Sequence, residues 1–233
     1  MDLTQRLLTL GPPERALLVD LYQARFVDGP LLAELAELCG ADPEALRSRG
    51  LLRTAVGPDG ETHYLSGSGQ RAALSLLPQA QSGGRAYAAL RLEHELARAR
   101  LYGALRRRGM QPPDYRAEPR LTFRSAAGLG TRTLVPDALL ESDAMWLIEV
   151  DRATERDAAL RGKWLRYREW QIDAGGPRRV AVLLAGGASA VERSLAGSGL
   201  AATLYRTAEE LAAAAWPGDG LAAAGRADFK GGP

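Results

Sequence analysis

The stretch at 134–155, LVPDALLESDAMWLIEVDRATE, carries Asp137, Glu149 and Asp151 in or beside two apolar runs. Residues two apart on a strand project from one face, so Glu149 and Asp151 point together, with Val150 opposite. Ser142 and Asp143 form a two-residue joint between the runs. The two strands are then antiparallel neighbours, which brings Asp137 toward the pair. Carboxylates that converge raise one another's pKa and repel, so they need a divalent cation or basic partners. Mg²⁺ is held by one or two carboxylates with waters and phosphate oxygens. A metal so held activates water and stabilises a phosphodiester transition state. Asp137, Glu149 and Asp151 are therefore the expected metal ligands, with Mg²⁺ or Mn²⁺ as the ion. The alternative is an acidic sheet edge, or acids neutralised by Arg132, Arg152 and Lys163.

Two basic groups stand out beside these acids. Among 30 Lys and Arg residues only Lys163 and Lys230 are lysines, which makes Lys163 conspicuous on the helix expected after the second acidic strand. His94 falls on the apolar stripe of an expected helix over 85–108, with Tyr87, Leu90, Ala97, Leu101 and Leu105 at steps of three and four. Either it is a core histidine satisfied by a carbonyl, or it sits beside the acids.

The elements that position these residues form two blocks and a tail. In the first, Leu17, Leu18, Leu21 and Tyr22 have helical spacing behind an early proline. Leu31, Leu32, Leu35 and Leu38 mark a second helix that stops at Gly40. Asp42 and Pro43 open a third as N-cap and first helical residue. Strands over 52–56 and 62–65 flank the turn GPDG, and GSGQRAALSLL closes the block as a helix. That order predicts a winged helix-turn-helix domain over 1–80. Its third helix would enter the major groove and its hairpin would touch the backbone or the minor groove. Arg47, Arg49 and Arg53 are the expected DNA contacts there.

A linker over 78–86 leads to a second domain over 85–215. The helix over 85–108 opens it and ends in Arg106, Arg107 and Arg108, expected on the phosphate backbone. Strands follow at RLTFR, TLVPDALLE and MWLIEVD, then a helix over 154–173, the apolar strand RRVAVLLAG, and a helix–strand–helix ending. The expected core includes Leu90, Leu101, Val135, Leu147, Ile148, Val182 and Leu184. Residues 216–233 read as a flexible tail.

Composition narrows the class. The single cysteine, Cys39, excludes an internal disulfide and a Cys-rich zinc site. No secretory signal opens the sequence, and no stretch approaches the roughly 18 apolar residues of a membrane span. A cytoplasmic bacterial protein with no membrane partner is the expectation. Net charge is −3 over 1–80, +5 over 81–120 and zero beyond. The basic band suits phosphate.

The segments PDALL, WLIEVDRATE and LRGKWLRYREW resemble the replication-relaxation family, as do HYLSGSGQ and LEHELARARLY. The resemblance runs over about residues 10 to 215. It implies an N-terminal winged helix, DNA as partner, and a link to replication of plasmids or mobile elements. A broader resemblance is to the PD-(D/E)xK nucleases, whose core order αβββαβ matches the second block. It implies an α/β, restriction-endonuclease-like fold (α+β over the whole chain), with Asp137 as first acid and Glu149 as second. The lysine that usually follows two positions later is Asp151 here. Lys163 stands in the place to which that lysine moves in some members, and His94 or a flanking Glu matches an acid on the first helix.

The catalytic set implied is thus Asp137, Glu149, Asp151, Lys163 and His94, in metal-dependent phosphodiester hydrolysis, with Lys163 positioning water or stabilising the pentavalent phosphate. A non-catalytic DNA-binding regulator that keeps the fold is the competing reading, favoured by Asp151. A protein-interaction adaptor is a third, favoured by the acidic first block. A homodimer is compatible with all three.

Overall fold

A computed structural model describes residues 3–57, 60–77, 92–125, 130–152, 157–173, 178–186 and 189–217. The tip of the GPDG turn, the linker over 78–86, the start of the helix expected from 85, Leu90 and the tail beyond 217 lie outside the described residues. The chain has mixed α/β structure with several sheets. It divides into two compact units, Met1–Arg107 with Gln111–Ala117, and Arg108–Met110 with Glu118–Pro233.

The first unit runs α1 (Leu3–Leu8), α2 (Pro12–Ala24), β1 (Phe26–Asp28), α3 (Gly29–Cys39), α4 (Pro43–Ser48), β2 (Leu52–Gly57), β3 (Gly60–Leu65), α5 (Gly67–Leu76) and α6 (Leu92–Arg107). A 3-10 turn, Pro112–Asp114, and β4 (Tyr115–Ala117) close it. Local chemistry sets the helix ends. Asp28 caps α3 by accepting from Leu31 N at 3.0 Å, and Asp42 caps α4 by accepting from Glu44 N at 2.9 Å. Gly40 ends α3 in the left-handed region at φ 66°. Gly69 has no room for a side chain, since a Cβ there would lie 2.2 Å from Leu51 O. The three strands lie in the order β1-β3-β2, all antiparallel, with His63 between Val27 and Thr54.

The helix expected to open the second domain belongs to the first unit. Asp20 of α2 is fully buried. It accepts from Tyr102 Oη at 2.5 Å and pairs with Arg106 Nε at 2.9 Å, while Cys39 Sγ donates to it at 3.1 Å. Burial, then Asp20 beside it, pushes the Cys39 thiol up to about 12. Arg107 pairs with Glu34 at 2.5 Å and Arg100 with Asp28 at 3.3 Å. Gly103 lets α6 come close to α3, because a Cβ there would meet Leu31 Cδ1 at 2.5 Å. Leu101 is buried in this unit rather than in the second core. Helical period shows that a stripe is apolar, not which partner covers it. The partner acid Asp20 lies 82 residues before Tyr102 in sequence.

The second unit contains β5 (Leu121–Arg124), β6 (Thr131–Leu134), β7 (Ala138–Glu141), β8 (Met145–Asp151), α7 (Asp157–Asp173), β9 (Arg178–Leu184), α8 (Ser189–Ala196), β10 (Ala202–Tyr205) and α9 (Ala208–Ala215). Strands β7 and β8 are antiparallel, and β8, β9 and β10 run parallel in that order. Parallel neighbours need a crossover, which α7 and α8 supply. The strand expected over TLVPDALLE is two strands. β6 pairs only with β5, in a separate two-stranded sheet, and β7 lies in the larger sheet. Pro136 stands between them, with no N–H to donate to a ladder. Val135 in this break is 46% exposed, not core.

Leu139, Leu147, Val180, Val182 and Leu184 pack against Leu160, Trp164, Tyr167 and Trp170 of α7. Ile148, on the opposite face of β8, is also buried. We expect Leu147→Ala to lower stability by about 2–5 kcal/mol, read from urea unfolding. We expect Asp20→Ala to cost about 3–5 kcal/mol, because it leaves Arg106 buried without its counter-charge. Wild-type-like unfolding of Asp20→Ala would show that α6 is not held by this network.

Candidate functional site

The odd-numbered residues of β8, Leu147, Glu149 and Asp151, share the face covered by α7. The register pairs Ala138 with Ile148, so Asp137, one residue before β7, comes level with Glu149. The break at Pro136 keeps Asp137 out of the ladder, and its Oδ2 accepts from Val150 N at 2.8 Å. Its backbone carbonyl accepts from Glu118 N at 3.0 Å, which fixes it from the other side. Lys163 rises from α7 one helical step after Leu160. Its Nζ lies 2.6 Å from Glu149 Oε2 and 5.3 Å from the Trp164 ring centre.

Glu149 is 3% exposed. Burial raises its pKa well above the usual carboxylate value, and the neighbouring Asp137 carboxyl raises it further, by charge and by hydrogen bonding. Lys163 opposes both. The group is thus two neighbouring carboxyls, with one ammonium paired to Glu149 and lying near the Trp164 ring. Of the basic partners weighed for the acids, Lys163 makes the ion pair with Glu149, while Arg132 pairs with Glu169 at 3.1 Å.

Asp151 does not complete a three-carboxylate cage. Among the described residues no three His, Cys, Asp or Glu side chains are grouped so as to hold a metal ion. Same-face neighbours on a strand are about 6.5 Å apart along it, so sharing a face does not mean sharing an ion. Asp151 is buried at the end of β8, where its carbonyl accepts from Ala185 N at 2.8 Å. His94 is half-buried on α6, in the first unit, whereas Asp137, Glu149 and Lys163 all belong to the second.

The six arginines expected on DNA have distinct positions. Arg47 pairs with Glu44 at 3.3 Å, and its Nη2 lies 3.4 Å from His63 Nδ1, which Thr54 Oγ1 also approaches to 2.9 Å. Arg49 donates to Ala45 O at 2.7 Å and reaches Thr9. Arg53 is exposed on β2, the outer strand of its sheet. Arg106 is paired with buried Asp20. Arg107 pairs with Glu34, and Arg108 donates to Trp216 O at 2.6 Å. The run RRR is contiguous in sequence, but Arg106 and Arg107 of α6 point about 100° apart and Arg108 lies beyond the helix. What sequence reading missed is the Val150 amide as a partner of Asp137 and the Trp164 ring beside Lys163. The proline before Asp137 was the one visible signal that this acid stands outside a ladder.

The sequence profile of the replication-relaxation family matches residues 31–177, more than half of the chain. No curated protein and no solved structure matches it. Among the described residues no helix is long and apolar enough to cross a membrane.

The raised pKa of Glu149 makes a pH prediction. A carboxyl that holds its proton more tightly when folded adds stability below its unfolded value of 4.5, and that contribution is lost as pH rises through the folded value. We expect Glu149→Gln to remove this loss. Urea-unfolding free energies of wild type and variant should shift in favour of the variant as pH rises above 4.5. A constant difference across pH would contradict the buried, proton-retaining Glu149.

Proposed function

The chain belongs to the replication-relaxation family, and on that premise we propose that it is a DNA-binding protein of replication or DNA processing with a nuclease-like site in its second unit. The observation that carries the reading is the contact of Asp137, Glu149 and Lys163 at the break before β7 and on the face of β8. An acid after a proline, a second acid on the next antiparallel strand, and a lysine from the following helix match the form of the nuclease resemblance in which the lysine has moved to that helix; at its usual place, two positions after the second acid, stands Asp151. The first unit supports the DNA-binding half. Its order of helix, strand, two helices and hairpin, with strands β1-β3-β2, agrees with a winged helix. Arg47, Arg49 and Arg53 lie on or next to α4 and β2.

The donor set fits a hard divalent cation. Asp137 and Glu149 would offer carboxylate oxygens, with the ion replacing the proton that burial favours on Glu149. Mg²⁺ or Mn²⁺ held there would supply Lewis acidity toward a phosphodiester oxygen. In this reading Asp137 is oriented by the Val150 amide. Lys163 carries the positive charge that a pentavalent phosphate requires. Asp151 has no ligand role in it.

One observation favours the non-catalytic alternative. Lys163 is already paired with Glu149, and among the described residues no third acid joins the pair to form a metal-holding group. A regulator that keeps the fold without cleavage would look the same.

Supercoiled, linear and branched DNA incubated with Mn²⁺ separates the two readings. We expect nicking or cleavage that a chelator stops and Asp137→Asn abolishes, with DNA affinity kept. Binding without cleavage on all three substrates would establish the regulator. We also expect DNA affinity to fall steeply with salt as phosphate contacts release counterions. Replacing Arg47, Arg49 and Arg53 by Ala should weaken binding and flatten the salt slope. Unchanged affinity would remove the first unit from the DNA interface.

A further inference from the structure

We propose that the β5–β6 ribbon is a DNA-contact surface of the second unit, which holds duplex phosphates on the face carrying Arg120, Thr122, Arg124, Thr131 and Thr133. The inference rests on the reading of the chain as a DNA-binding protein. It adds a contact surface that lies outside the first unit.

The register sorts the side chains of the ribbon into two sets. Leu121 stands opposite Leu134, and Phe123 opposite Arg132. Opposite residues share a face, and the face alternates along each strand. This set points inward. Phe123 and Leu134 are buried in the core with Trp164 and Tyr167, Leu121 packs against it, and Arg132 Nε reaches Glu169 of α7 at 3.1 Å. The other set is Thr122 opposite Thr133 and Arg124 opposite Thr131. All four are exposed, as is Arg120 immediately before β5. Period two places Arg120 with Thr122 and Arg124. The anchored inner face thus presents the outer one from a fixed support.

The chemistry of that outer face is one-sided. Residues 119–136 hold three arginines and no Asp or Glu. An ordinary solvated face carries both signs interspersed, and a ribbon edge guarded only against aggregation needs charge of either sign. Here the exposed side chains are guanidiniums and hydroxyls, which donate to phosphate oxygens. A phosphate on this face meets donors and positive charge together.

The base of the ribbon lies at the candidate site. Glu118 N, just before the segment, donates to Asp137 O, just after it, at 3.0 Å. Leu134 at the end of β6 is three residues from Asp137, at most about 10 Å of chain. A duplex held on the ribbon is therefore held close to the first acid of the site.

The test is fluorescence anisotropy of a labelled duplex of random sequence with the full-length protein, across a salt series and without divalent metal. We expect Arg120→Gln with Arg124→Gln to weaken binding by about tenfold and to flatten the slope of log affinity against log salt by about 1.8, the value for two phosphate contacts. Arg120→Lys with Arg124→Lys keeps both charges and should keep the wild-type slope. Thr122→Glu with Thr133→Glu sets acids on the same face and should weaken binding as well. Arg193→Gln with Arg206→Gln removes two exposed arginines elsewhere in the unit and should leave affinity near wild type. Thermal melts identify a variant that does not fold, and the Gln and Glu pairs serve as alternates. Unchanged affinity and slope in the Gln pair would overturn the ribbon surface while leaving DNA binding by the rest of the chain standing. An equal loss in the Arg193 and Arg206 control would overturn it too, since net charge alone would then account for the effect. Absence of DNA binding by the wild-type protein would overturn both the ribbon surface and the DNA-binding reading.

Discussion

A carboxylate taken out of water must be given a proton or a positive partner, and the second unit depends on how that demand is met at Glu149. Strand β8 lies between β7 and β9 with both its faces buried. An acid in the middle of such a strand is the least favourable place for charge in the unit. It is kept there by Lys163 from α7 and by Asp137 from the adjoining break. The packing of Trp164 and Tyr167 that anchors α7 on the sheet also sets the reach of Lys163.

The first unit has a buried acid too, and the contrast is instructive. Asp20 is closed on every side by Tyr102, Arg106 and Cys39. Its partners come from two helices, α6 and α3, so the network ties both of them to α2. Such a carboxylate has no capacity left for a ligand and serves the fold. Glu149 faces another acid, Asp137, which raises its pKa, and Lys163, which lowers it.

The same distinction sorts the arginines. Three successive arginines at the end of α6 look like a phosphate patch in sequence. In the fold they go to Asp20, Glu34 and a main-chain carbonyl. A basic stretch therefore says little about nucleic acid until its internal partners are known. Arg53, on the outer strand of the small sheet, stands in a different setting because β2 is almost wholly exposed.

Sequence by itself determined the elements whose cause is local. The caps Asp28 and Asp42, the left-handed Gly40 and the apolar periods of α2 and α3 are set by neighbours within a few residues. The uninterrupted apolar strand β9 and the shared face of Leu147 and Glu149 follow from composition and period two. Tertiary structure alone decided the rest. It assigned α6 to the first unit, through an acid 82 residues away from Tyr102. It split one expected strand at Pro136 and sent the halves to different sheets. It chose Lys163 over Arg132 as the partner of Glu149, and left Asp151 out of the group. Period and propensity act along the chain, whereas a buried charge is satisfied through space, by whichever group the packing of separate elements brings within about 3 Å.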